Sequence, residues 1–194
     1  MMFEAGHTPS HKGKTTTVDP IKTLDGIVKV KELLKDHPRN RALFAVAVNS
    51  ALRAGDLTKM KWEDAHDDGA NITLRVLEGK TKKPRTIPLN AEASSALRDW
   101  RARCECEYIY SGQRGALTTA QWGRMIKTWC KEAGLEGQFA SHTARKSFVR
   151  IQHDEFKTSL TTLMVILNHS TPAQTLTYMG RMADDVVAAY GNAI

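Results

Sequence analysis

The sequence predicts an α+β protein, mainly helical, built around a small antiparallel sheet. Three observations carry this expectation. Apolar residues recur at helical spacing along most of the chain. Two short neighbouring stretches, "NITLRVLEG" and "RTIPL", alternate instead, with only "KTKKP" between them. No internal repeat, low-complexity block or glycine-rich phosphate loop points to another architecture.

Residues 1–18, rich in Gly, Ser, Thr, Lys and His without apolar periodicity, read as a flexible N-terminal arm. Residues 19–194 read as one domain, since 194 residues do not make two ordinary domains. The first helix is expected from Asp19 as N-cap and Pro20 at N1, with Ile21, Leu24, Ile27, Val28, Val30, Leu33 and Leu34 largely on one side. Pro38 ends that pattern and opens a second helix, apolar nearly all round from Leu43 to Leu52 and therefore buried. A short helix, "DLTKMKWED", leads to the two strands, the first with Ile72, Leu74 and Val76 facing inward. Helical spacing returns at "AEASSALRDWRARC", and "EYIYSGQRG" adds a short extended piece. "LTTAQWGRMIKTWCKEAG" stops at Gly134, "SHTARKSFVRIQHDE" starts from Ser141, and "SLTTLMVILNH", "TPAQTLTYMG" and "DDVVAAYGNAI" complete the helical part.

Composition narrows the partner. Lys and Arg number 28 against 21 Asp and Glu, a net charge of +7, which favours a polyanion because basic surface releases counterions from phosphates. No stretch approaches the roughly 18 consecutive apolar residues of a membrane span, and the N-terminus lacks the apolar segment of a secretory signal. Cys104, Cys106 and Cys130 are odd in number and lack metal-site spacing, which points to reduced thiols in a cytoplasm.

Arg53, Lys80, His142, Arg145 and His169 all fall at the ends of elements, where a fold can bring them together, and Tyr178 lies nine positions after His169. With these residues the chain resembles the catalytic domain of the tyrosine recombinases, the phage integrases and their relatives. Arg53 in "ALRAGDLTKMKWED" is similar to the family's first arginine motif, and Lys80 in "EGKTKKPRTIPL" to its lysine in a turn between strands. "SHTARKSF" is similar to the H-x-x-R box, and "LNHSTPAQTLTY" to the L-G-H box with its interval to the tyrosine. The resemblance covers Asp19 to Ile194. It implies the tyrosine recombinase catalytic fold and site-specific breaking and rejoining of double-stranded DNA through a 3′-phosphotyrosine. It also implies no cofactor and no metal, a tetramer on DNA with a monomer when free, and a bacterial cytoplasm or a phage or mobile element expressed in one.

The chemistry asks for the same residue types. Phosphodiester cleavage without a metal needs a nucleophile, charge on the non-bridging oxygens and a proton for the leaving 5′ oxygen. Arg53 and Arg145 supply permanently charged forks, and a helix starting at Ser141 adds backbone N–H groups. Lys80 resembles the general acid, with Lys82 and Lys83 as rivals. The resemblance implies Tyr178 as the nucleophile, with His142 and His169 dividing the roles of base and phosphate donor in an order the sequence leaves open. Lys82, Lys83, Arg85 and Lys146 are candidates for DNA contact. His7, His11, His37, His66 and His153 read as surface residues.

Three departures from the family pattern stand out. Asp56 replaces the usual Glu and is expected to orient an arginine through a carboxylate pair. Asn168 replaces the common Gly before the histidine, and Lys146 follows Arg145 where His is frequent. Only about twenty residues precede the catalytic fold, as in the short fimbrial phase-switch recombinases or in a fragment of a longer integrase. The alternatives are a catalytically silent DNA-binding regulator of the same fold and a type IB topoisomerase-like activity. A metal nuclease is disfavoured by the lack of a carboxylate cluster.

Overall fold

The computed structural model describes residues 18–112 and 115–179. The arm up to residue 17, the final "DDVVAAYGNAI" segment and Tyr190 lie outside the described residues. Helix α1 spans Leu24–Leu33 and begins later than its sequence suggests: Thr23, not Asp19, is the N-cap, accepting from the Gly26 N–H at 3.1 Å. Asp19 is held elsewhere. Its N–H donates to the Gln138 carbonyl and its carboxylate accepts from the Gln138 N–H, each at 2.8 Å. The strap it belongs to also accepts the Thr143 hydroxyl at the Asp19 carbonyl and donates the Ile21 N–H to Ser147 Oγ. The α1 stripe is correspondingly narrower than expected, with Ile27 and Val30 buried but Leu24, Val28 and Leu33 exposed.

Helix α2 (Pro38–Ser50) is the centre of the main core, with Leu43, Phe44 and Val46 fully buried as its all-round apolar surface requires. It stops at Ala51, a non-glycine residue in the left-handed region at φ +51°. Helix α3 (Ala54–Thr58) follows with Arg53 as its N-cap residue, and a 3-10 turn at Trp62–Asp64 leads into the sheet. The sheet has order β1-β2-β3, all antiparallel: β1 (Ala65–Asp67), β2 (Ile72–Leu77) and β3 (Pro84–Pro88). The short, polar β1 carries no alternation and was not expected from the sequence. In β2, Ile72, Leu74 and Val76 point inward as expected.

Helix α4 (Ala91–Arg101) packs on α2, and the strands β4 (Ser111–Gly112) and β5 (Gly115–Ala116) form the short extended piece. Helix α5 (Thr119–Glu132) opens with a Thr118–Gln121 capping box, and Gly134 follows its end at φ +71°. Helix α6 (Thr143–Asp154) takes His142 rather than Ser141 as its N-cap residue; the Ser141 carbonyl instead accepts the Trp122 indole N–H at 3.0 Å. Helices α7 (Leu160–Leu167) and α8 (Pro172–Met179) close over α6. They make a second, smaller core of Ala51, Val149, Leu163, Leu167 and Met179. The seam between the two cores is where the polar residues gather.

Candidate active site

Arg145 stands in that seam at 4% exposure. Its guanidinium donates to the Ala51 carbonyl at the end of α2 and to the Leu167 carbonyl at the end of α7, the latter at 3.0 Å. The left-handed turn at Ala51 therefore has a use, presenting a carbonyl to the arginine. Two helix ends fix one fork, and the remaining edge of the guanidinium faces a cleft of about 770 Å³ lined by Arg53, Lys80, His142, Arg145, His169 and Tyr178. Arg53 reaches the same cleft from the start of α3 and pairs with Glu78 at 2.7 Å.

Tyr178, on α8, is half-buried, and its hydroxyl lies 3.4 Å from His142 Nδ1. Its ring meets His169 edge-on at 5.7 Å, with the Arg145 guanidinium 5.9 Å and the Lys146 ammonium 5.5 Å from its centre. Burial pushes the phenol above its ordinary value, and the charge of Arg145 partly offsets this. Burial, with the Arg145, Lys146 and Arg53 charges, holds His142 below the usual imidazole value; burial, with Arg145 and Arg53, does the same to His169. Both rings are thus biased to the neutral form. His169 Nδ1 lies 2.9 Å from the buried Thr175 hydroxyl.

Lys80 sits exposed at the tip of the β2–β3 hairpin. The turn is closed by Glu78 N–H to the Lys83 carbonyl at 3.0 Å and Lys82 N–H to the Glu78 carbonyl at 2.8 Å, with Lys82 left-handed at φ +57°. An adjoining cleft of about 840 Å³ continues the same face past Arg53, Asp56, Lys80, Lys82, Ser141 and His142. One polar trough therefore runs from the hairpin to α8.

A family model described as the phage integrase family matches residues 19–183. The chain belongs to the phage integrase family. It is 33% identical over 180 residues to the "Probable integrase/recombinase YoeC" of Bacillus subtilis (strain 168), covering 89% of this chain and 95% of that protein. Against a tyrosine recombinase XerC of Syntrophus aciditrophicus (strain SB) it is 25% identical over 80% of its length, and spans about half, 53%, of the relative. Among solved structures, the XerA recombinase superposes with a TM-score of 0.73 at 22% identity, over 91% of this chain and 66% of that one. A lambda integrase tetramer bound to a Holliday junction gives 0.66 at 24% identity, over 85% and 49%. The last two show the fold.

Within this integrase fold the six residues expected at the site all line one cleft. The supporting cast differs from expectation. Asp56 pairs with the Gly79 N–H at 2.9 Å, so it supports the hairpin backbone, and the carboxylate bound to Arg53 is Glu78. Arg85 turns inward: its guanidinium lies 3.4 Å from Glu78 and from the Ser50 carbonyl. Lys83 lines a separate groove with Phe148 and Val165 behind the hairpin, whereas Lys82 lines the trough. Lys146 is in the cleft, but its ammonium is held by the Val18 carbonyl at 2.8 Å.

Glu78 is not among the residues the sequence places at the site. It is 1% exposed and accepts from Thr81 at 2.6 Å and Asn168 at 3.3 Å in addition to the two arginines. Its signal was present. The inward positions of β2 run Ile72, Leu74, Val76, and the next in step is a glutamate, a charge on a buried face that needs partners.

Proposed function

We propose that this chain is the catalytic unit of a site-specific DNA recombinase, residues 19–194, with Tyr178 as nucleophile. The observation that carries the reading is the Tyr178 hydroxyl beside His142 in a cleft whose wall is the Arg53 and Arg145 pair. A scissile phosphate in that cleft meets two guanidinium forks and the start of α6, which together offset the charge that builds on the non-bridging oxygens.

A neutral His142 accepts the phenol proton as Tyr178 Oη attacks phosphorus, and the bond to the 5′ oxygen breaks. Lys80 gives that oxygen its proton. The 3′-phosphotyrosine keeps the energy of the phosphodiester, so a 5′ hydroxyl from another strand reverses the step and rejoins DNA. A Thr175 hydroxyl donating to His169 Nδ1 leaves the neutral ring's proton on Nε2, the tautomer that donates to a phosphate oxygen. This distribution assigns the base to His142 and the phosphate donor to His169. The roles use the chain's own side chains, and a chelator is expected to leave the rate unchanged.

The lambda integrase tetramer on a Holliday junction supports a homotetramer on DNA for this chain. Among the described residues no helix is long and apolar enough to cross a membrane. The bacterial relatives support a cytoplasmic enzyme of a bacterium or mobile element. The deciding experiment is incubation with nicked DNA carrying the chain's own attachment site. A covalent adduct that survives denaturant and joins DNA through Tyr178 is the expected result; no adduct on any site cleaved by its relatives' chemistry would remove the enzyme reading and leave a DNA-binding regulator.

A further inference from the structure

The Lys80 hairpin and the turn before α8 belong to different parts of the chain, yet one carboxylate touches both. Thr81 on the hairpin donates to Glu78 Oε2 at 2.6 Å, and Asn168, which ends α7 immediately before His169, donates to the same oxygen at 3.3 Å. Arg53 pairs with that oxygen at 2.7 Å, and Arg85 approaches the other at 3.4 Å. Asn168 holds a left-handed conformation at φ +56°, a position where glycine fits with least strain. Asparagine tolerates that conformation too, and unlike glycine it brings an amide that reaches Glu78. Substituting Asn for the usual Gly thus creates a link across the cleft.

We propose that Glu78 is a positioning residue for the recombinase reaction, tying the Lys80 hairpin to the Arg53 fork and, through Asn168, to the turn that carries His169. The general acid and the phosphate donor are therefore set in one frame before DNA arrives. This rests on the reading of the cleft as a DNA cleavage site, but the frame itself is testable without DNA.

Two variants of the full chain separate the parts. Glu78→Gln keeps size and removes charge, and Asn168→Gly removes only the side chain from a backbone that glycine suits. Hydrogen–deuterium exchange is read on the hairpin at Gly79, whose N–H donates to Asp56, and Lys82, whose N–H donates to the Glu78 carbonyl, and across the cleft at His169 and Ser170, bonded to the Met164 carbonyl and Gln174. Glu78→Gln is expected to raise exchange on both sides of the cleft about threefold or more, and Asn168→Gly to raise it at Gly79 and Lys82. Exchange confined to the side that carries the substitution, in both variants, overturns the link.

The second measurement uses nicked DNA. Glu78→Gln is expected to slow adduct formation about a hundredfold with non-covalent affinity within threefold. On a 5′-phosphorothiolate substrate, whose leaving sulfur needs no proton, at least a tenfold part of the deficit is expected to disappear. An equal deficit with both leaving groups overturns the positioning of Lys80, since general loosening slows both alike. Should the wild-type chain form no adduct at all, the recombinase reading falls while the exchange result still decides whether Glu78 couples the two segments.

Discussion

Arg145 and Lys80 bring the same charge to one cleft on opposite terms. Arg145 is almost fully buried, its fork fixed by carbonyls at two helix ends, and reaches the trough with little freedom left to lose. Lys80 is carried exposed at the tip of a hairpin whose base is fixed by Asp56 and Glu78. The difference suits the tasks proposed for them. A phosphate clamp works best preorganised, because reorienting a charged group at the moment of reaction costs free energy. A proton donor on a hairpin reaches the leaving oxygen only once DNA fills the trough. Anchoring also makes Arg145 part of the fold, so its loss should be felt in stability as well as in rate.

The largest expected effect lies outside the comparison and calibrates it. Tyr178→Phe is expected to abolish the covalent adduct on denaturing gels, with non-covalent binding within a few fold, since only the reacting oxygen is lost. A full-yield adduct would move the nucleophile elsewhere, with Tyr190 the next candidate.

The two arginines sharpen the contrast. Arg53→Ala and Arg145→Ala are each expected to slow cleavage by about two to four powers of ten, the loss of roughly 3–5 kcal/mol of transition-state stabilisation. Arg145→Ala should in addition lower unfolding free energy by about 2–4 kcal/mol in urea, because two buried carbonyls lose their donor. Melting of Arg145→Ala no lower than that of Lys80→Ala would break the distinction between anchored and presented charge.

Lys80→Ala is expected to slow cleavage by about two to three powers of ten, with stability unchanged within about 0.5 kcal/mol, as suits an exposed hairpin tip. A 5′-phosphorothiolate leaving group should restore the rate. Failure of that rescue, with activity depending instead on Lys82 or Lys83, would shift the general acid along the turn.

Acid should loosen the frame. Burial alone would raise the Glu78 carboxyl, but hydrogen bonds from Thr81, Arg53 and Asn168, with the Arg53 charge, outweigh it and hold the group at about 2 against an ordinary 4.5. A carboxylate depressed in the fold contributes stability that is full above the ordinary value and is lost as pH falls from about 5 toward 2. Melting temperatures of the wild-type chain should drop across that window more steeply than those of Glu78→Gln. Parallel curves would remove Glu78 as the group responsible.

The smallest effect separates two basic residues that the sequence put in one class. Lys82→Ala should reduce the salt slope of DNA binding by about one, as expected for a lost phosphate contact. Arg85→Ala should leave the slope unchanged and lower stability, since its guanidinium faces Glu78 and Ser50.

The parts of the site that were legible in the sequence share a physical basis. Arg53, Lys80, His142, Arg145, His169 and Tyr178 are chemically demanding types at fixed intervals, and intervals survive in a linear chain. The alternation of Ile72, Leu74 and Val76 and the unbroken apolar run of α2 report burial directly, so the strand and the central helix could be read. Asp19 was misjudged because a carboxylate before an apolar run suits a helix cap, and only the fold brings Gln138 near enough to compete for it. Asp56 meets Gly79 and Arg85 meets Glu78 for a related reason. A charge in sequence does not say which way it faces.

The sequence by itself determined most element types and the order of the candidate reacting groups, because periodicity and local chemistry depend on neighbours along the chain. Only the tertiary structure decided which carboxylate holds Arg53, that Arg145 is anchored by the ends of α2 and α7, and that Glu78 and Asn168 meet. Those contacts join segments up to 94 residues apart, as between Arg145 and Ala51. No local pattern encodes them: they follow from how the two cores close on the seam between them.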